Sequence, residues 1–215
     1  MVPHQEGKLY DITLPLSSKT VCFPGDHPPC ITRQTDVRCG DPLTSSHLAI
    51  GCHVGTHIDA PFHFLSEGLR VDELPLETFY GPAVVLNCRN QTVITSSYLQ
   101  SFFIPETRHI LLQTDNSELL TQPSFRENYT VVSPEGASYL STLRPLSIGF
   151  DYYSLDPPAS DTGYAAHMIL AKAGISVFVC LDLLRIQEGC YDFAGFPLRL
   201  GGAEGSPVRA LLIER

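Results

Sequence analysis

The apolar and polar positions along this chain change period several times, and each change marks an element. "KLYDITLPL", residues 8–16, alternates near its start and predicts an edge or hairpin strand. "SSHLAIGCHVG" predicts a strand that runs into a histidine-rich stretch. "GPAVVLNC", "RHILLQTD" and "LRPLSIGFDYYSLD" are apolar β-type runs that each end in polar residues. "ISVFVCLDLL" is apolar and β-branched throughout, as suits a strand buried on both faces. "SPVRALLIER" predicts a final strand. Helical spacing appears in "GYAAHMILAKAG", where Gly174 is placed to cap the C-terminus. "SPEGASYLSTL" offers Ser133 as N-cap and Pro134 as the first helical residue, and "SSYLQSFF" is a further helix candidate. "VCFPGDHPPC" reads as a turn-rich loop. The pattern amounts to about eight short strands and two or three helices, a mixed α/β fold of α+β character.

Length and composition narrow the class. At 215 residues the chain suits a single domain spanning 1–215, with no repeat or long linker to divide it. Hydrophobic residues make up 43% and charged residues 17%, which is enough apolar mass for a core. The formal net charge of −9, with no basic run, argues against nucleic acid and anionic lipid as partners. No apolar run reaches the length of a membrane helix, and "MVPHQEGKLYDITLPL" is unlike a secretory signal. The seven cysteines are scattered without a C-x-x-C pair, as in a reduced compartment. Together these features predict a soluble, cytoplasmic protein with a small-molecule substrate and no nucleic-acid or membrane partner.

The chemistry concentrates in "HVGTHIDAPFHF", residues 53–64. His53, His57, Asp59 and His63 share odd parity, so an unbroken strand would put them on one face. Reach argues against that. Four extended residues span about 13 Å, which stretches two imidazoles to their limit around one ion. A regular helix would swing Asp59 round its axis. The chain must therefore bend, and Gly55 can take the necessary dihedrals while Pro61 fixes the exit. Two neutral imidazoles and a carboxylate suit Zn²⁺, Mn²⁺ or Fe²⁺. His63 is then free for proton transfer. Isolated histidines are more often surface or core residues, so the weight rests on the whole string.

That string resembles the signature of the metal-dependent cyclase/hydrolase family that includes bacterial kynurenine formamidase and isatin hydrolase. Supporting stretches stand in family order, "YDITLPL" and "FPGD" before the string and "LPLETFYGPAVVL", "RHILLQTDNS", "GFDYYSLDP", "AAHMILAKAGI" and "GCYDFAGFPLRLGGAEGSPVRALLI" after it. "SLDP", "FPLRL" and "SPVRALL" are most similar to the kynurenine formamidase branch. The resemblance implies a swivelling β/β/α domain, usually dimeric, and Zn or Mn as the divalent ion. It implies that His53, His57 and Asp59 hold a first metal and that Asp59 bridges to a second. It also implies that His63 is proton donor and acceptor, that His167 ligates the second metal, and that Phe23 lines the substrate pocket. One position departs: where the formamidase branch has a glutamate in "ILEGL", this chain has Val179 in "VFVCL". Valine cannot ligate, so one ion is expected, with His167 as hydrogen-bonding partner or weak ligand. Asp182, three residues on and of opposite parity, is a poor substitute.

Other motifs are read as structural. Asp151, Ser154 and Asp156 form D-x-x-S-x-D without a nucleophile elbow, so they are expected in a supporting loop or beside the metal ligands. His27 is expected to be exposed, His4, His47 and His109 to be surface or strand residues, and Cys52 to face the core. Tyr152 and Tyr153 suit either a pocket or an interface. Gly201–Gly202 lacks the Lys-Ser or Lys-Thr of a phosphate loop. The expected activity is metal-dependent hydrolysis of a small amide C–N bond, an aryl formamide such as N-formylkynurenine first. Alternatives are an isatin-hydrolase-like lactam or lactone hydrolase, a cyclase, or a catalytically weakened binding protein on the same scaffold.

Overall fold

The apolar runs fold as buried strands of one closed sheet. The structure, a computed structural model, describes residues 7–158 and 163–215, so His4 lies outside the described residues. The sheet contains β1 (Leu9–Asp11), β4 (His57–Asp59), β5 (Tyr80–Asn87), β7 (His109–Gln113), β9 (Ser147–Phe150), β10 (Ser176–Val179), β11 (Gly189–Pro197) and β12 (Gly205–Glu214). Their order is β1-β12-β11-β5-β7-β9-β10-β4, and β4 also pairs with β12, which closes the sheet into a barrel-like ring. The central strands β5, β7, β9 and β10 run parallel, while β4, β11 and β12 join antiparallel. Outside the ring, β2 (Cys30–Thr35) and β3 (Ser45–Ala49) form a hairpin, and β6 (Val93–Ile94) pairs with β8 (Val131–Val132). The helices are α1 (Ser96–Leu99), α2 (Asn116–Leu119), α3 (Pro134–Thr142) and α4 (Ala165–Lys172).

Period-2 alternation divides the apolar residues between two cores. Ala83, Val85, Leu111, Phe178, Phe193 and Leu212 fill the barrel interior with Ile12 and Ile58. Val84, Leu86, Ile110, Leu112, Val177 and Val179 face outward into a second cluster with Leu99, Leu140, Ala166 and Leu170 from the helices. Strands buried on both faces explain the unbroken apolar runs of β7 and β10. At α3, Ser133 accepts from the Gly136 backbone N–H and Pro134 opens the first turn. Helix α4 ends before Gly174, whose φ of 74° suits its C-terminal position.

Four sequence expectations need correction. The strand predicted to run into the histidines ends at Ala49, as β3, and pairs only within the hairpin. The loop around residues 21–29 leads into β2, which the turn residues had hidden. Strand β11 was not anticipated, although Tyr191 and Phe193 alternate cleanly with Cys190 and Asp192. Cys52 sits half-buried in a turn, so it has no strand face to turn toward the core. His27 and His47 are exposed, as expected, and His109 is a strand residue.

His109 is fully buried. Its Nδ1 lies 2.8 Å from Ser147 Oγ, and its Nε2 has no partner among the described residues. Burial drives its pKa down to about 4. The unfolded chain binds this proton near pH 6.5, so stability is full above that pH and falls as pH drops toward 4. A shift of this size corresponds to about 3 kcal/mol. Urea unfolding from pH 7.5 to 4 is expected to show wild type losing that much more stability than His109→Gln. A stability difference independent of pH contradicts the assignment.

Candidate metal centre

The site lies where β4 closes the ring between β10 and β12. His53 comes from the turn before β4, His57 and Asp59 from β4 itself, and His63 from the 3₁₀ turn Pro61–His63. The bend expected at Gly55 is present, with φ of 69°. A side chain there would be strained and would also meet Leu16. Pro61 begins the 3₁₀ turn and redirects the chain.

Asp59 stands at the centre of three imidazoles. Its Oδ1 is 2.7 Å from His53 Nδ1 and 3.4 Å from His57 Nε2, and its Oδ2 is 3.9 Å from His167 Nε2. His57, Asp59 and His167 are buried, and His53 is half-buried. Burial alone would raise the Asp59 pKa. His57 and His53 outweigh it and hold the carboxyl well below its ordinary value. One donor atom from each of His53, His57 and Asp59 falls within 4.8 Å of the others.

Outer partners fix which nitrogen faces inward. His57 Nδ1 donates to the Gly55 carbonyl at 2.7 Å, which leaves Nε2 facing Asp59. His167 Nδ1 lies 2.6 Å from Asp156 Oδ2, which does the same for His167. Asp156 also accepts the Ala166 and His167 backbone N–H groups, so one carboxylate both caps α4 and orients its histidine. His63 stacks on His53, with ring centroids 4.1 Å apart and planes at 26°. Part of His63 is open to solvent, but loss of water on its inner side lowers its pKa against the pull of Asp59.

A pocket of about 510 Å³ opens over these groups. Phe23, Phe64, Tyr153 and Tyr164 line it beside the histidines, with Asp26 at the exposed rim. The Phe23 ring is edge-on to Phe125. Of the tyrosine pair, Tyr153 faces the pocket and Tyr152 is core. Asp151 supports the loop from within: it accepts from Thr114 and Ser117, and burial raises its pKa to about 6. Asp182 is exposed. Val179 pairs with His57 across β10 and β4, on the same face, and is fully buried in the core cluster of Ala166 and Leu170. Sequence reasoning missed Glu204, whose Oε1 lies 3.1 Å from His53 Nε2.

Residues 10–157 match the model of the Cyclase family. The chain belongs to the Cyclase family. Within it, the chain is 33% identical over 202 residues to kynurenine formamidase of Bacillus cereus, covering 94% of this chain and 95% of that one. It is 35% identical over 203 residues to kynurenine formamidase of Geobacillus thermodenitrificans, with the same coverage. Among solved structures, a predicted metal-dependent hydrolase from Bacillus stearothermophilus superposes with TM-score 0.83 at 29% identity, covering 97% of this chain and 98% of that one. Isatin hydrolase A from Ralstonia solanacearum gives 0.84 at 25%, covering 97% and 92%. The strand-rich α/β architecture of the family is thus the architecture of this chain.

The donor set of two imidazoles and a carboxylate, with each imidazole held by an outer oxygen, fits a divalent ion. Titration calorimetry is expected to show ion uptake by wild type and an affinity lower by about 100-fold or more in Asp59→Ala. Equal affinities contradict the placement of the ion.

Proposed function

We propose that this chain is an arylformamidase-like amidohydrolase, cleaving the C–N bond of a small aryl formamide of the N-formylkynurenine type. The observation that carries the reading is the buried His53–His57–Asp59 cluster opening directly into an aromatic-walled pocket, with His63 stacked at its edge. The formamidase relatives and the hydrolase structures support it.

His53, His57 and Asp59 hold the ion, zinc or manganese. When bound, it polarises the scissile carbonyl and makes a neighbouring water more acidic. Phe23, Phe64 and Tyr164 sandwich the aryl ring and exclude bulk water from the reacting carbon. His63 accepts a proton from the attacking water as the new C–O bond forms. It then returns a proton to the aryl amine nitrogen as the C–N bond breaks, releasing formate and the free amine. Val179 pairs with His57 where the formamidase resemblance puts a glutamate, so one ion is the proposed complement, with His167 Nε2 3.9 Å from Asp59 Oδ2. The likeness to isatin hydrolase A supports a second reading, in which a lactam of isatin type is opened at this centre.

Among the described residues no helix is long and apolar enough to cross a membrane. A cytoplasmic homodimer, with the chain acting as one domain, is part of the proposal. The β2–β3 hairpin, with Ile31, Leu43 and Leu48 exposed, supports the dimer.

Turnover of N-formylkynurenine by the metal-loaded protein is expected, with formate and kynurenine as products. His63→Ala is expected to lower kcat by about 10²- to 10⁴-fold with metal affinity retained. An unchanged kcat in His63→Ala contradicts the role of that residue. Opening of isatin without formamide hydrolysis selects the second reading.

A further inference from the structure

Each imidazole around Asp59 has one ring nitrogen turned inward and the other turned to an outer oxygen. For His57 that oxygen is a backbone carbonyl, and for His167 it is Asp156. His53 differs because it sits in a turn, half-buried, with no strand or helix to orient it. Its outer oxygen comes from Glu204, 151 residues along the chain.

We propose that Glu204, together with Gly205, is the positioning element of this centre: Glu204 takes the Nε2–H of His53, so that Nδ1 is the nitrogen presented beside Asp59 and His57. The proposal rests on the metal-centre reading given above.

Three observations converge on it. First, the Glu204 carboxylate lies 3.1 Å from His53 Nε2, while Nδ1 lies 2.7 Å from Asp59 Oδ1. Both ring nitrogens face a carboxylate and a neutral imidazole carries one N–H; an ion held on Nδ1 would leave that hydrogen on Nε2, where Glu204 accepts it. Second, Glu204 is itself anchored. Its carbonyl accepts the Ala60 N–H at 2.9 Å, which ties the segment to the end of β4. Third, the next residue must be glycine. Gly205 pairs with Asp59 in the β12–β4 register, and a Cβ on it would come 2.8 Å from His53 Cε1 and 2.7 Å from the Ile58 carbonyl oxygen. The His53 ring lies against bare backbone at this point, and a methyl group would push it away from Asp59.

An ordinary surface ion pair is the competing account. The Glu204 side chain is 38% exposed, and such pairs contribute little to stability. Metal affinity, not unfolding, therefore separates the two. Wild type, Glu204→Ala, Glu204→Gln and Gly205→Ala are compared by zinc competition with a chromophoric chelator, and folding of each is checked by thermal unfolding without metal.

Glu204→Ala is expected to lose about 10- to 100-fold in zinc affinity, with little change in metal-free unfolding. Glu204→Gln keeps a carbonyl oxygen for the Nε2–H and is expected to recover most of that affinity. Nitrogen NMR of the zinc-loaded wild type is expected to find the His53 hydrogen on Nε2. A Glu204→Ala affinity within twofold of wild type overturns the proposal. So does a Glu204→Gln loss as large as that of Glu204→Ala, which would make Glu204 a ligand by charge, and so does a hydrogen on Nδ1. Absence of zinc uptake by wild type is a different failure, because it removes the metal-centre reading itself.

Discussion

The Asp59 carboxylate is the interaction on which the rest depends. It is a buried charge, and burial without compensation would be prohibitive. Three imidazoles surround it, and His53 and His57 keep it ionised. The carboxylate sits on a strand of only three residues, which cannot hold its place by its own hydrogen bonds. Pairing with β10 on one side and β12 on the other locks it and also closes the ring. The pairing that closes the ring is thus also the pairing that places His57 and Asp59.

That arrangement accounts for features that look unrelated along the chain. Gly55 bends the backbone so that residues of equal parity converge instead of spreading along a strand. Asp156 spends one carboxylate on two tasks, capping α4 and orienting His167. The two cores meet at this seam: Ile58 points into the barrel, while the face that carries His57 and Asp59 continues into Val177 and Val179 against α4. Phe23, Phe64 and Tyr164 give the charged centre an aromatic wall.

The chain declares the local half of this plan. The spacing H-x3-H-x-D, the need for a bend at Gly55, the Ser133–Pro134 helix start and the doubly buried β10 are all short-range patterns with direct physical meaning. What the sequence hides is long-range pairing. Glu204 reaches His53 only because β12 turns back onto β4, and no local pattern announces that contact. Strand β11 carried a clean alternation, but its glycines and Pro197 made it look like loop. Strand β2 is exposed along almost its whole length, so it lacks the apolar face by which strands are recognised, whereas β3 was legible and only its end lies earlier than expected. Cys52 was misplaced for a related reason: parity has meaning only on a strand, and residues 50–56 belong to no strand.

The central claim is that Asp59 organises a single ion with His53 and His57, and that Val179 leaves no place for a second. Anomalous diffraction at the zinc or manganese edge, on crystals grown with the metal, tests it most directly. The account predicts one anomalous peak, in contact with His53 Nδ1, His57 Nε2 and Asp59 Oδ1. Two peaks bridged by Asp59, with the second against His167, would contradict it.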